Sequence, residues 1–489
     1  MVLVPRLAGL GTSLTIDEPL WIARGAKFIE GLATLDVGKT FTNIHPGVTT
    51  AWLAGVADQF QSLAASQGAI AFAVSCALFV SAYLLVKLTS FWVGLAMAAA
   101  LALDPFLVAH SRVVHTDALL ALFLLLTTLL LMLYQRTRAR RYLVMSGVTA
   151  GFVLLTKLHG AIFLVGCLLL LRFSSSSLRS WIRLAAVWAL ASIITIIALW
   201  PALWVPTKTN IDAFYKQAGI SLGEARGRGG EERWWYYPRE FLFRTTPVVT
   251  VLAPIGMLTA LAHMKRRARR APQSTAVSDS LSDLHAVALT VFLLAAGYAG
   301  VISVFSTKSD RWILILFLAA DLLAMSGASA LGGFLGRMAP SARPWAARAV
   351  VAGLFLVLNA WEVQRLHPYP LAHYNRLFPI RENRKLGWGE GLEHAAEFLN
   401  AQPDAGVPVV SYYPRVLAKF YHGQVERLVR SHEPGFRYVV LYRSMFERSN
   451  DSYETAFLQR YLGRVTPLSV VTINGLPYAW VYENQDQTE

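Results

Sequence analysis

Two cysteines in 489 residues, Cys76 and Cys167, give no disulfide framework, and their spacing is not that of a zinc site. Charge is also scarce, at 15% of residues against 55% hydrophobic, and acids are scarcer than bases, 30 against 45. The net charge of +15 would suit a nucleic-acid partner if the bases formed one surface, but they cluster in short loops between apolar runs. Nucleic acid is therefore excluded as a partner. The opening MVLVPR is too short to read as the apolar stretch of a cleavable signal peptide. Internal repeats are missing too, and the loop region APQSTAVSDSLSD stands alone as a candidate for disorder.

What the chain has in quantity is apolar length, with a mean hydropathy of +0.44. Apolar runs lie near 68–87, 91–109, 117–134, 142–156, 158–171, 181–204, 247–263, 285–304, 312–331 and 347–363. Runs of this kind predict a mainly α, polytopic membrane protein of about 10 spans. The fourth and fifth are short and split at TKLHG (156–160), which reads as half-helices, a tight hairpin or one long tilted helix.

The loops assign the sides. QRTRARR (135–141), RFSSSSLRSWIR (172–183), MKRRARR (264–270) and GRMAPSARPWAAR (336–348) are basic and are expected in the cytoplasm. Residues 1–67, 110–116, 205–246, 305–311 and everything after 363 then face outward. The alternation closes only if 142–171 crosses twice, and it leaves the amino terminus outside with only Met1 to Pro5 ahead of Arg6. We therefore expect a first helix encoded upstream of Met1, about 11 spans in all.

After residue 363 the composition changes. GWGEGLEHAAEFLN has helical spacing, VPVVSYY, RYVVLYR and PLSVVTI are strand-like, and SYETAFLQRYL between the last two is helical. The expected organisation is a membrane domain over 1–363, with outer loops 1–67 and 205–246, and a small α/β extracytoplasmic domain over 364–489.

Six stretches carry candidate chemistry. In TIDEPLW, Asp17 and Glu18 are either a helix cap or a carboxylate pair for acid–base work. In IHPGVTT, His45 belongs to a turn or binds phosphate or metal. AHSRVVHTDALLALF packs His110, Arg112, His115 and Asp117 between two spans, where Asp117 either caps the next helix or serves a site. Lys157 and His159 in TKLHG sit within an apolar stretch, where a lysine either snorkels or meets an anion. Lys308, Asp310 and Arg311 in FSTKSDRW anchor an interface or hold a phosphate. GRGGEERWWYYPRE (227–240) reads as an interfacial segment or a lipid guide. All six fall on one face, and a site for a phosphorylated lipid accounts for them together.

At this point the chain resembles the GT-C membrane glycosyltransferases, above all the dolichyl-phosphate-mannose protein mannosyltransferase and aminoarabinose lipid A transferase group (glycosyltransferase family 39 and its bacterial relatives). The matching stretches are LTIDEPLW, IHPGVTT, HSRVVHTDALL, LLTKLHG, STKSDRW and GWGEGL, in that order. The resemblance implies a GT-C-like helical bundle and inverting transfer of a hexosyl or pentosyl unit from a polyprenyl-phosphate sugar to an acceptor hydroxyl. It makes Asp17 the general base, with Glu18 supporting it or holding a cation. Arg112 and Asp117 match the second outer loop, Asp117 as a catalytic residue and Arg112 toward the donor phosphate. Lys157, Lys308 and Arg311 would neutralise the departing lipid phosphate. A divalent metal is left open, with His45 and His115 as metal ligands or acceptor contacts. The implied partners are the lipid-linked donor, membrane lipids and a protein, lipid or glycan acceptor, which the carboxy-terminal domain would recognise. The first transmembrane helix of the family pattern is what this chain lacks ahead of Arg6.

The expected location is a bacterial plasma membrane, multi-pass, with the site facing outward. A transporter or flippase for a lipid-linked sugar is the alternative, and it would line a midplane path with polar residues. Apart from Lys157 and Asp321 the ionisable residues gather at one face, which favours an enzyme. An inactive scaffold is the third reading.

Overall fold

The structure, a computed structural model, describes residues 2–41, 46–205, 234–269, 280–305, 307–338, 343–378, 386–448 and 452–485, with 208, 212, 215 and 216. The chain opens with a short turn of helix, α1 (Val4–Leu7), then α2 (Glu18–Ala33) and α3 (Val48–Asp58), which pack on each other. The apolar runs follow as α4 (Leu63–Leu88), α5 (Phe91–Ala102), α6 (Pro105–His110), α7 (Asp117–Thr137), α8 (Arg140–Thr156), α9 (Gly160–Arg172) and α10 (Leu178–Leu199). After α11 (Tyr236–Arg244) come α12 (Pro247–Arg269), α13 (Ser280–Ile302), α14 (Leu314–Met338) and α15 (Pro344–Arg365). Among the described residues, seven helices are long and apolar enough to cross a membrane, and the protein is multi-pass.

Every apolar run becomes helix, with breaks inside two of them: the 181–204 run leaves α10 at Trp200, ahead of Pro201. The 91–109 run divides at Asp104–Pro105 into α5 and α6. Pro105 cannot donate to the preceding turn, and the Asp104 carboxylate caps the new helix by accepting from the Leu107 N–H at 2.5 Å. The 142–171 stretch folds back on itself as the two helices α8 and α9. Its turn at Lys157 meets Asp117 at the start of α7, whereas its far ends meet the other end of α7: Arg138 donates to the Ser174 carbonyl and Gln135 to Leu170. Arg136 and Asp283 join that second, basic end at 3.1 Å.

Helix α7 and the segment 310–338 are 89% buried and form the centre, while α10 and α15 are 17% buried and form the perimeter. A surface this apolar is what lipid requires. The centre is tight because α12 and α14 cross at Gly256 and Gly327. A Cβ on Gly256 would lie 1.9 Å from the Leu323 carbonyl oxygen, and one on Gly327 2.0 Å from that of Leu252.

The carboxy-terminal part is a five-stranded sheet in the order β2-β1-β3-β5-β4, with strands β1 (Val409–Ser411), β2 (Val425–Arg427), β3 (Tyr438–Tyr442), β4 (Ser469–Ile473) and β5 (Leu476–Glu483). The first three are parallel, and β5 is antiparallel to both β3 and β4. Alternation along the strands sends Val409, Val440 and Val481 to one face and Val410, Val439 and Trp480 to the other. Helix α16 (Leu392–Asn400) covers the first face and α17 (Ser452–Tyr461) the second. Leu14, from the amino-terminal loop, is buried in the first of these cores, so the two ends of the chain share one packing unit.

Candidate active site

Glu18 opens α2 and reaches back to the loop before it. The Glu18 carboxylate accepts from the Thr15 N–H at 2.7 Å, and also from the Val114 N–H and the Gln67 side chain, both at 3.0 Å. It is fully buried, and burial raises its pKa against the pull of those donors. Glu18 thus ties the amino-terminal loop to the loop before α7. Asp17 is released from capping: its side chain makes no cap hydrogen bond. Its carboxylate turns instead to the Arg311 guanidinium at 3.1 Å and to His115 Nε2 at 3.7 Å, and it stays 31% exposed.

Beneath it lies Asp117, 1% exposed, at the first turn of α7. One oxygen takes Lys157 at 2.9 Å; the other lies 2.8 Å from His115 Nδ1 and 3.2 Å from Arg311 Nε. A buried carboxylate is tolerable only with such compensation. Lys157, placed by sequence inside an apolar stretch, is therefore at the site end, where α8 stops. His115 stands between two carboxylates. Burial lowers its pKa against the pull of Asp117, with Nδ1 facing Asp117 and Nε2 facing Asp17. Arg311 bridges Asp17 and Asp117, and its guanidinium lies 4.2 Å from the centre of the Trp388 ring.

Trp388 comes from GWGEGL, and that segment clamps the acid loop from above. The Ile16 N–H donates to the Trp388 carbonyl at 2.9 Å. At Gly389, with φ at +125°, a Cβ would lie 2.4 Å from the Leu14 carbonyl oxygen, so the loop approaches to a distance only glycine allows. Tyr442 on β3 holds the clamp, its hydroxyl accepting from the Gly389 N–H and donating to Glu390. Arg244 at the end of α11 pairs with Asp310 at 2.9 Å and donates to the carbonyls of Leu371 and His373, which fixes the segment leading to the clamp.

The remaining candidates are nearby but differently engaged. Arg112 donates to the Gly9 carbonyl at 2.8 Å and the Pro368 carbonyl at 3.3 Å, and burial lowers its pKa to about 10. It lines a cavity of about 30 Å³ with Glu18, Gln67 and Glu390, room for about one water. Lys308 donates to the Phe305 carbonyl and is largely buried. His110 is buried against Phe106 and Trp388, and neither ring nitrogen has a hydrogen-bond partner. His159 meets Tyr298 at 2.7 Å. His45 and residues 227–233 of the aromatic loop lie outside the described residues. Among the described residues no group of three or more His, Cys, Asp or Glu side chains is placed to hold a metal ion. Asp17 and Asp117 face Arg311, Lys157 and His115, a donor set that does not fit a divalent cation.

Sequence reasoning brought together Asp17, Glu18, His115, Asp117, Lys157 and Arg311, and the fold does the same. It had not singled out Arg244 or Trp388. Trp388 carried a signal, glycines on both sides of an aromatic; Arg244, in FLFRTTP, carried none.

Residues 45–204 match the family model described as dolichyl-phosphate-mannose-protein mannosyltransferase. Among solved structures, ArnT from Cupriavidus metallidurans bound to undecaprenyl phosphate aligns over 99% of this chain and 97% of that one, at 14% identity and a TM-score of 0.51. The oligosaccharyltransferase of Archaeoglobus fulgidus in the apo form aligns over 91% of this chain and 68% of that one, at 12% identity and a TM-score of 0.48. No curated protein matches the sequence. The fold is that of the GT-C membrane enzymes, as the order of motifs had suggested.

Proposed function

We propose that the protein transfers a sugar from a polyprenyl-phosphate carrier to an acceptor hydroxyl at the extracytoplasmic membrane face, with inversion. The observation that carries this is the Asp17 carboxylate, freed from its cap, partly open to solvent and held by Arg311 above the buried Asp117–Lys157 pair. Asp17 takes the proton of the acceptor hydroxyl while the oxygen bonds to the anomeric carbon. The bond from that carbon to the phosphate oxygen breaks, and its electron pair leaves with the lipid phosphate, which gains one negative charge. Negative charge thus moves from Asp17 to the phosphate, and Arg311, bound to Asp17 beforehand, is freed to follow it with Lys308. Lys157 keeps Asp117 ionised, and Asp117 with His115 holds Arg311 and Asp17 in place. Arg112 acts as a pin for the loops around the donor phosphate. The carrier class is supported by the undecaprenyl phosphate bound in a structure of the same fold.

The acceptor enters from the α/β part. A groove of about 690 Å³ opens at the carboxyl end of β1, where the chain turns one way to β2 and the other to β3. Ligands favour such switch points. Its walls include Tyr412, Tyr413, Arg415 and Arg427, with Ile16, the neighbour of Asp17, at one end and Glu454 on another wall. Aromatic faces suit a sugar ring, and two arginines without an ion-pair partner among the described residues suit an anionic substituent.

The test is sugar transfer by the purified protein over a panel of polyprenyl-phosphate sugars. Wild type should label its acceptor with one donor class, and Asp17→Asn should be slower by about 10²–10⁴-fold with the protein still folded. A wild-type rate in Asp17→Asn would overturn the base assignment. Arg427→Ala should raise the acceptor KM and leave the donor KM unchanged.

A further inference from the structure

We propose a second ligand site at the opposite, basic end of the bundle: a cavity between α12, α13, α14 and α15 that holds the phosphate head group of an anionic membrane lipid. The cavity measures about 670 Å³ and is lined by Arg266, Arg337, Arg348, His263 and His285, with no acid among its described lining residues. None of the three arginines has an ion-pair partner among the described residues, and the Nε of Arg348 is buried without a hydrogen-bond partner. His285 is fixed by Ser326 at 2.6 Å, and the His263 ring lies 5.2 Å from it.

Arginines at this end are ordinary, since cytoplasmic loops favour them. Three of them lining one cavity between helices are not, because like charges without a counter-ion repel. A phosphate supplies the counter-ion, and guanidinium groups match its geometry. A second observation identifies the source of that phosphate as a lipid. An apolar groove of about 420 Å³ shares Leu331 with the basic cavity and continues past Val351, Leu354 and Phe355 to Trp361. From Arg348 to Trp361, α15 rises about 20 Å, enough for an acyl chain crossing one leaflet of about 15 Å. A charged basin opening onto an apolar channel has the two-part chemistry of a lipid, which a free anion lacks. The site is separate from the Asp17 cluster: α15 and α14 pass between the two ends, and no residue is shared.

The experiment uses the full chain, purified and exchanged into vesicles of phosphatidylcholine alone or with phosphatidylglycerol, with inorganic phosphate as a third arm. Lipid retained through gel filtration and thermal unfolding are read. Phosphatidylglycerol should be retained and should raise Tm, while phosphatidylcholine and inorganic phosphate should do neither. The triple substitution Arg266→Gln, Arg337→Gln, Arg348→Gln should weaken retention on the order of 100-fold. Leu354→Trp, which fills the apolar groove and leaves every arginine, should also lose it, and decides the matter if the triple variant fails to fold. Arg140→Gln with Arg141→Gln, at the same end but outside the cavity, should retain wild-type binding. Equal stabilisation by phosphatidylcholine, an equal response to inorganic phosphate, retention unchanged in Leu354→Trp, or equal loss in the Arg140/Arg141 variant would overturn the proposal.

Discussion

Lys157 and Asp117 are each 1% exposed and 2.9 Å apart, so each offsets much of the other's burial. Replacing the lysine leaves the buried carboxylate with Arg311 and His115 alone, and Lys157→Met should destabilise the protein by about 3 kcal/mol. The double variant Lys157→Met, Asp117→Asn should recover part of that stability while remaining inactive. Thermal unfolding of the four proteins in one detergent gives the cycle; a double variant no more stable than Lys157→Met would mean the two side chains act separately. His110 sets a different dependence. Burial lowers its pKa from 6.5 to about 3, so the native ring stays neutral where the unfolded one takes a proton. Unfolding then binds a proton, and stability falls as pH drops from 6.5 toward 3, by about 1.4 kcal/mol per pH unit from this group. His110→Phe should flatten that limb of the Tm-against-pH curve; an unchanged slope would remove His110 as its cause.

At the scale of elements, the crossing of α12 and α14 carries the centre of the bundle. The Cβ of an alanine at Gly327 would meet a backbone carbonyl at 2.0 Å, and no rotamer relieves a backbone contact. Gly327→Leu should therefore separate the helices and give aggregated protein on gel filtration, while Gly353→Leu on α15, where a Cβ meets nothing within 4 Å, should behave as wild type. Continuous apolar length made the helices legible, because lipid-facing and buried faces are both apolar. The break at Asp104–Pro105 was written in the sequence as a cap followed by a proline, but the surrounding apolar run concealed it. The β4–β5 hairpin was likewise spelled by Asn474–Gly475, both at positive φ, yet β5 is too buried to alternate. Strand β2, three residues long and half-exposed, left no pattern. In the site, charge at the ends of apolar runs identified the residues. It did not reveal that Glu18 would serve backbone donors and Asp17 be free, since both follow from where Thr15 and Val114 place their N–H groups.

For the molecule as a whole, the α/β part and the membrane part meet where the chemistry is proposed to occur. The sheet holds Tyr442, Tyr442 holds Gly389 and Glu390, and Trp388 receives the Ile16 N–H and covers Arg311. The position of Asp17 is thus set from the α/β part as well as from the bundle. Gly389 tests this coupling, because it touches no reacting group. A side chain at that position meets the Leu14 carbonyl and also needs the left-handed backbone of φ +125°. Gly389→Ala should push the loop off the clamp, lower kcat by at least about 10-fold through misplacement of Asp17, and speed deuterium exchange at the Ile16 amide. The sheet keeps its core in this variant, so its Tm transition should persist. Slow exchange at Ile16 together with wild-type kcat would show that the bundle alone positions the acid.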